Sequence, residues 1–139
     1  MAEKEGQSYA PEARTEKVCE GGDFIFAAMG LDHGHIFGMC KNLVNAGAEI
    51  KWVYDDDTVK IEKFQSMFPE IKVAGCEEEL LEDPEVQMVA TAAIPSERGP
   101  LGLRVMDHGK HFFSDKAPFT TFEQLQAARE KTEETGLIW

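Results

Sequence analysis

Several common features of proteins are scarce in this chain, and each shortage narrows what it can be. No apolar run approaches the roughly 18 residues that a helix needs to cross a bilayer. Met1 to Gly22 is polar and acidic and holds no apolar core of the kind a secretory signal requires. These two features point to the cytoplasm and to no membrane partner. Positive charge is short: 14 Lys and Arg stand against 26 Asp and Glu, for a formal net charge of −12. A surface of that sign repels a phosphate backbone, so nucleic acid is not an expected partner. A small bound nucleotide stays open, because a diphosphate is held by local backbone amides and a helix N-terminus. Cysteine is scarce too. Cys19, Cys40 and Cys76 form no C-x-x-C pair and suit buried or incidental thiols in a reducing compartment.

What is present is the material of one domain. At 139 residues the chain is long enough to bury a real core. Residues 1–22 mix Gly, Ser, Pro and charge without a period and read as a flexible leader, with the domain expected over 23–139. From Asp23 onward, apolar runs alternate with helical periodicity. Phe24 to Met29 is a short, continuously apolar run ending at Gly30, as expected of a strand covered on both faces. Ile36, Met39, Cys40, Leu43 and Val44 recur at helical spacing before Gly47. The same reading predicts strands at Glu49–Tyr54, Lys72–Ala74, Val86–Ala92 and His111–Ser114, and a sixth beginning at Leu137. It predicts helices at Thr58–Phe68, Glu77–Leu81, Ser96–His108 and Thr121–Thr135, the last turning Phe122, Leu125 and Ala128 inward. Gly99, Pro100 and Gly102 make a poor start for the fourth helix. Strict β-α alternation implies an α/β fold, a doubly wound parallel sheet of about six strands with helices on both faces.

In such sheets ligands bind beyond the carboxyl ends of the strands, where the strand order reverses. The first turn there reads Gly30-Leu31-Asp32-His33-Gly34-His35. Gly30 suits the tight exit from the strand, and Gly34 a close approach at the helix start. It is not a full G-x-G-x-x-G: Asp32 and His35 hold the second and third glycine places. Asp55 ends the second strand, 20 residues beyond His35, where a carboxylate can accept the ribose hydroxyls of a dinucleotide. Asp56 and Asp57 read as solvated or capping residues. No Lys or Arg follows closely enough to neutralise a 2′-phosphate, so NAD is expected rather than NADP.

The stretch from Thr91 to Pro118 resembles the Gfo/Idh/MocA family of glucose–fructose oxidoreductases and inositol dehydrogenases. The matching motifs are Thr91-Ala92-Ala93-Ile94-Pro95, Gly109-Lys110-His111-Phe112-Phe113 and Asp115-Lys116-Ala117-Pro118. Asp115 stands for the family's usual Glu and Ala117 for its proline, while Arg98-Gly99 replaces a frequent histidine. The resemblance implies a Rossmann domain that binds NAD(P) for hydride transfer to or from a sugar- or polyol-like small molecule. It implies that Lys116 lies beside the nicotinamide and the substrate hydroxyl as the catalytic lysine. It places Ala93 and Pro95 on the nicotinamide side and Asp115 among the cofactor contacts, with Leu31, Asp32, His33 and His35 in the phosphate loop. The family's second domain, which completes the substrate site, is absent from these residues, so the chain is expected to be incomplete as an enzyme. A homo-oligomer through an exposed sheet edge is a further expectation. Three other readings stand beside this one: a non-catalytic nucleotide-binding or scaffold domain, a phosphoacceptor receiver domain, and a metal site. For the last, Asp32, His33 and His35 are close in sequence but His108 and His111 are expected on another loop, so no metal is assigned.

Overall fold

The computed structural model describes residues 16–139, so residues 1–15 of the expected leader lie outside it. Five strands, β1 (Ile25–Met29), β2 (Glu49–Tyr54), β3 (Lys72–Val73), β4 (Met88–Thr91) and β5 (His111–Ser114), alternate with five helices. The helices are α1 (His35–Asn45), α2 (Thr58–Met67), α3 (Glu77–Leu81), α4 (Pro95–Asp107) and α5 (Phe122–Thr135). Every strand pairing is parallel, in the order β3-β2-β1-β4-β5. The chain winds outward from β1 to β3, crosses back, and resumes at β4 on the other side of β1. Strand order therefore reverses between β1 and β4. This is the dinucleotide-fold order, whereas a receiver domain runs 2-1-3-4-5.

The central strand shows why the run 24–29 had to be continuously apolar. Phe26 and Ala28 face one core with Ile36, Cys40, Ile61 and Phe64 of α1 and α2. Ala27 and Met29 face the other with Leu80, Leu81, Leu101, Val105 and Met106 of α3 and α4. Side chains alternate across a strand, so a strand covered on both faces needs apolar residues at every position.

Two expectations are corrected. The sheet has five strands, close to the expected six, and lacks the strand expected from Leu137. Leu137 to Trp139 runs beside β5, where Phe112 N–H donates to Ile138 O at 2.9 Å, but it does not form a ladder. Phe122 is 85% exposed and Leu125 39%, so α5 turns chiefly Ala128 inward. Part of the expected leader is tied to the domain: Val18 N–H donates to Ala46 O at 2.8 Å. The fourth helix forms despite its glycines and Pro100, for a local reason. Pro95 occupies the helix start, where its fixed φ suits the first turn and no N–H is missed. Pro100 deprives Ser96 O of its usual donor, and the Gln124 side-chain amide of α5 supplies one at 3.1 Å. Gly99 permits that approach, since a Cβ there would lie 3.0 Å from Gln124 Cδ.

The opposite end of the sheet is held by a polar cluster that takes no part in the candidate site. Lys110 is buried, and its ammonium donates to Asp83 O at 2.7 Å and Val86 O at 2.8 Å. The Asp83 carboxylate accepts from Trp52 Nε1 at 2.7 Å and pairs with Lys51 at 2.6 Å. Burial pushes the Asp83 carboxyl up, but the hydrogen bonds from Lys51, Trp52 and the Glu85 amide outweigh it and hold it at about 2. The folded state thus binds this proton less readily than the unfolded chain. The stability Asp83 contributes is complete above about pH 4 and is lost as pH falls toward about 2. Asp83→Asn should lower the melting temperature at pH 7 and flatten its decline between about pH 4 and 2. Thermal melts of both chains across that range read this out; parallel acid limbs would refute it.

Candidate functional site

At the carboxyl end of β1 the backbone turns at Gly30, with φ +65°. A Cβ at Gly30 would also stand 2.8 Å from both Ala93 Cβ and Thr91 Oγ1, so conformation and space alike demand glycine. Leu31 turns its side chain into the core, and its N–H donates to Asp55 Oδ2 at 2.7 Å. His33 N–H donates to Ala92 O at 2.9 Å, binding the same loop to the end of β4. Gly34 caps α1 with no side-chain hydrogen bond, so the helix opening stays uncovered by a capping group. The other Asp55 oxygen accepts from Asp57 N–H at 2.9 Å, and Asp57 in turn caps α2 through Val59 N–H at 2.9 Å. The first loop and the carboxylate ending β2 therefore converge, as the sequence required.

Between them lies a cleft of about 340 Å³ lined by Gly30, Asp32, Asp55, Lys60, Glu97 and Arg104, among others. Asp32, in the second glycine place, does not hang free in it. One carboxylate oxygen pairs with Lys60 Nζ at 2.6 Å and the other accepts from Ile94 N–H at 3.2 Å. Lys60 also lies 3.7 Å from Asp55 Oδ1. The sequence expectation of no cation near Asp55 is thus corrected: the first turn of α2 carries one back over the strand end.

A second group gathers where β5 ends. Asp115 Oδ2 is 3.0 Å from His35 Nδ1 and 3.9 Å from His33 Nδ1. Lys116 Nζ is 2.9 Å from His35 Nδ1, on a side chain 78% exposed. Burial pushes the Asp115 carboxyl up, but His35 and the Lys116 N–H outweigh it and set it below the ordinary carboxylate range. His33, His35, Asp115 and Lys116 thus stand together beside the start of α1, while Gly30, Asp32 and Asp55 line the cleft. Ala93 is buried against Gly30, and Pro95 is exposed at the head of α4. His108 and His111 are elsewhere: the first contacts Arg104 O at 2.8 Å and the second accepts from Ile138 N–H at 3.0 Å.

Sequence reading named Arg98 in place of a frequent histidine but gave it no role. It is 1% exposed, and its guanidinium donates to Ala93 O at 2.6 Å, to Lys116 O, and to Ala117 O at 3.2 Å. It also lies 3.7 Å from Asp115 Oδ2. One side chain thus fastens the turn after β4 to the loop after β5. The only signal was an arginine amid the small and apolar residues of α4. Thr91 was named for its motif alone; its buried hydroxyl accepts from Ala93 N–H at 3.1 Å and shapes that turn.

No family model matches the chain. It is 31% identical over 101 residues to scyllo-inositol 2-dehydrogenase (NAD(+)) of Bacillus subtilis strain 168, a match covering 70% of this chain and 29% of that protein. Among solved structures, a chain from Erwinia carotovora atroseptica SCRI1043 named only as an oxidoreductase superposes with a TM-score of 0.81 at 43% identity. That match covers 84% of this chain and 35% of the other. Over its Rossmann domain the chain is similar to oxidoreductases of the Gfo/Idh/MocA type. A myo-inositol dehydrogenase of Lactobacillus casei, solved with NAD(H) and myo-inositol, shares the fold at a TM-score of 0.73 and 23% identity, over 84% of this chain and 35% of its own. The Gfo/Idh/MocA relatives are longer proteins, and this chain spans about a third of their length. Among the described residues no helix is long and apolar enough to cross a membrane.

Two substitutions test which contacts hold this domain's site in shape. Gly30→Ala should cost about 2–3 kcal/mol through strain and overpacking against Thr91 and Ala93. Arg98→Leu should cost about 3–5 kcal/mol by leaving buried carbonyls and Asp115 without their partner. It should also speed amide exchange over residues 115–117. Denaturant unfolding with hydrogen exchange measures both, and wild-type protection of that loop would contradict the clamp.

Proposed function

We propose that this domain binds NAD for an oxidoreductase that moves hydride between the nicotinamide and a hydroxylated, sugar- or polyol-like small molecule. The observation that carries the reading is the convergence of the Leu31 amide and the Asp55 carboxylate at the ends of β1 and β2, beside the reversal of strand order. The donor set suits a dinucleotide. Two of the roughly four acceptor positions on the Asp55 carboxylate are used by Leu31 and Asp57, which leaves acceptor capacity for ribose hydroxyls. The uncapped start of α1 at Gly34–His35 offers amides and the positive helix end to a diphosphate. Lys60 offsets the Asp32 charge that would otherwise repel it.

When bound, the nicotinamide supplies the hydride acceptor or donor. Asp55 holds the adenosine ribose, and its charge disfavours a 2′-phosphate. Gly30 keeps the loop close to the sheet, and Ala93 and Pro95 shape the nicotinamide side. Lys116 polarises the substrate oxygen that loses or gains a proton as hydride transfers. Asp115 and Arg98 fix the backbone from which Lys116 projects. Substrate selection and the remaining acid/base group belong to parts of the relatives that this chain does not span. We place the protein in the cytoplasm and read the β5 side of the sheet, where Phe113 is 39% exposed, as its surface for self-association.

Calorimetric titration should give tighter binding of NADH than of NADPH. Asp55→Asn, which keeps an acceptor for the Leu31 amide, should weaken NADH by about tenfold or more, as loss of a charged hydrogen bond predicts. Preference for NADPH, or an affinity indifferent to this substitution, defeats the proposal.

A further inference from the structure

At the start of α1 an imidazole, a carboxylate and an ammonium meet in an arrangement that neither state of the imidazole nitrogen satisfies while the ammonium stays in place. One nitrogen, His35 Nδ1, is 3.0 Å from Asp115 Oδ2, 3.2 Å from Asp115 Oδ1 and 2.9 Å from Lys116 Nζ. If it carries a proton it suits the carboxylate and opposes the ammonium. If it carries a lone pair it suits the ammonium and faces a carboxylate at contact distance. Either state leaves one close contact repulsive. The ligand atoms of His33, His35 and Asp115 all lie within 4.8 Å of one another. We infer that these three residues form an open site for a divalent transition cation of the zinc class, which displaces the Lys116 ammonium and so competes with the role proposed for that lysine.

The geometry suits that chemistry. A tetrahedral site with metal–ligand bonds of 2.0–2.1 Å sets its ligand atoms about 3.4 Å apart. The spacings from Asp115 Oδ2 are 3.0 Å to His35 and 3.9 Å to His33, so side-chain rotations suffice. His33 is free to make them, being 58% exposed. The carboxylate is already aimed: Lys116 N–H holds Oδ1 at 2.9 Å and Arg98 lies 3.7 Å from Oδ2, the outer partners that a metal carboxylate needs. Two imidazoles and one carboxylate favour zinc, cobalt or iron over magnesium and calcium. Three protein ligands leave a fourth position for water or a substrate oxygen. Arg98 cannot leave, being buried, so its charge should weaken the affinity. The exposed Lys116 side chain can swing away.

The test needs no nucleotide, so its result is separate from that of the NADH titration. The tag-free, metal-free chain is titrated with Co²⁺ by visible absorption and with Zn²⁺ by calorimetry. One equivalent should bind with the intense visible bands of four-coordinate Co²⁺. His33→Gln and His35→Gln should each weaken binding by about tenfold or more, within the range set by losing metal-shell contacts. Lys116→Met should tighten it, which no casual surface site would do. Far-UV circular dichroism establishes that each variant is folded, and the exposed His33 variant remains decisive if another is not. Absence of stoichiometric binding overturns the inference. So does affinity unmoved by the histidine substitutions, affinity unimproved by Lys116→Met, or a near-ultraviolet thiolate band that assigns the cation to Cys76.

Discussion

The 2.7 Å bond from the Leu31 amide to the Asp55 carboxylate sets the geometry on which the candidate site depends. It joins the residue just past the β1 turn to the residue just past β2, and so fixes how the first loop leaves the sheet. With the second Asp55 oxygen on Asp57, and Asp57 capping α2, a single carboxylate aligns a loop, a strand end and a helix start. It works from a nearly enclosed position, 7% exposed, where a charge-assisted bond is stronger than in water. Asp55 is therefore as much a structural element as a candidate ligand group.

A second fastening lies across the reversal of strand order. Among the described residues, the backbone bond from Asp115 N–H to Thr91 O at 3.0 Å is the last to join the segments that follow β4 and β5. Beyond it, Arg98 supplies the bonds from a buried guanidinium. A planar fork with several donors suits that task better than an ammonium, since it reaches carbonyls on two loops at once. The side chain that orders Lys116 thus comes from a helix on one face of the sheet. The histidines beside Lys116 come from the loop and helix after β1.

How much of this was legible in the sequence follows from where each signal arises. The apolar run of β1 and the periodicity of α1 are dictated by burial, a local property of the chain, and both elements appear where expected. Residues 137–139 looked like a strand because they are apolar, yet apolar residues also pack against a sheet edge without pairing: Trp139 meets Phe112 and Phe119 by ring contact. Phe122 shows the converse. It holds a helical position that periodicity turns inward, but it is the first residue of α5, next to the Thr121 cap, and is left exposed. Asp55 was legible because a strand end and a loop have fixed places in this topology. The Asp32–Lys60 pair and the Arg98 clamp were not, since each joins residues through space that share no spacing rule. The His33–His35–Asp115 group lies between these cases. Its two histidines were noticed, but their partner came from the loop just after β5, 80 residues beyond His35, rather than from the other two histidines.

Asp32 is the sharpest departure from the family loop, and its surroundings explain how the fold accommodates it. A glycine at that place would let a diphosphate lie against the backbone, and an unpaired carboxylate there would repel it. Lys60 and the Ile94 amide take up both Asp32 oxygens, so the side chain spans the crevice mouth from α2 to the turn before α4. The pair is one-third exposed on each side, so its bond is partly screened and can open at little cost. Under the proposed function, a diphosphate entering the cleft would meet an ammonium already positioned there, with Asp32 as the anion to outcompete. The loop has exchanged a bare glycine for an ion pair, which makes access to the helix start depend on salt as well as shape.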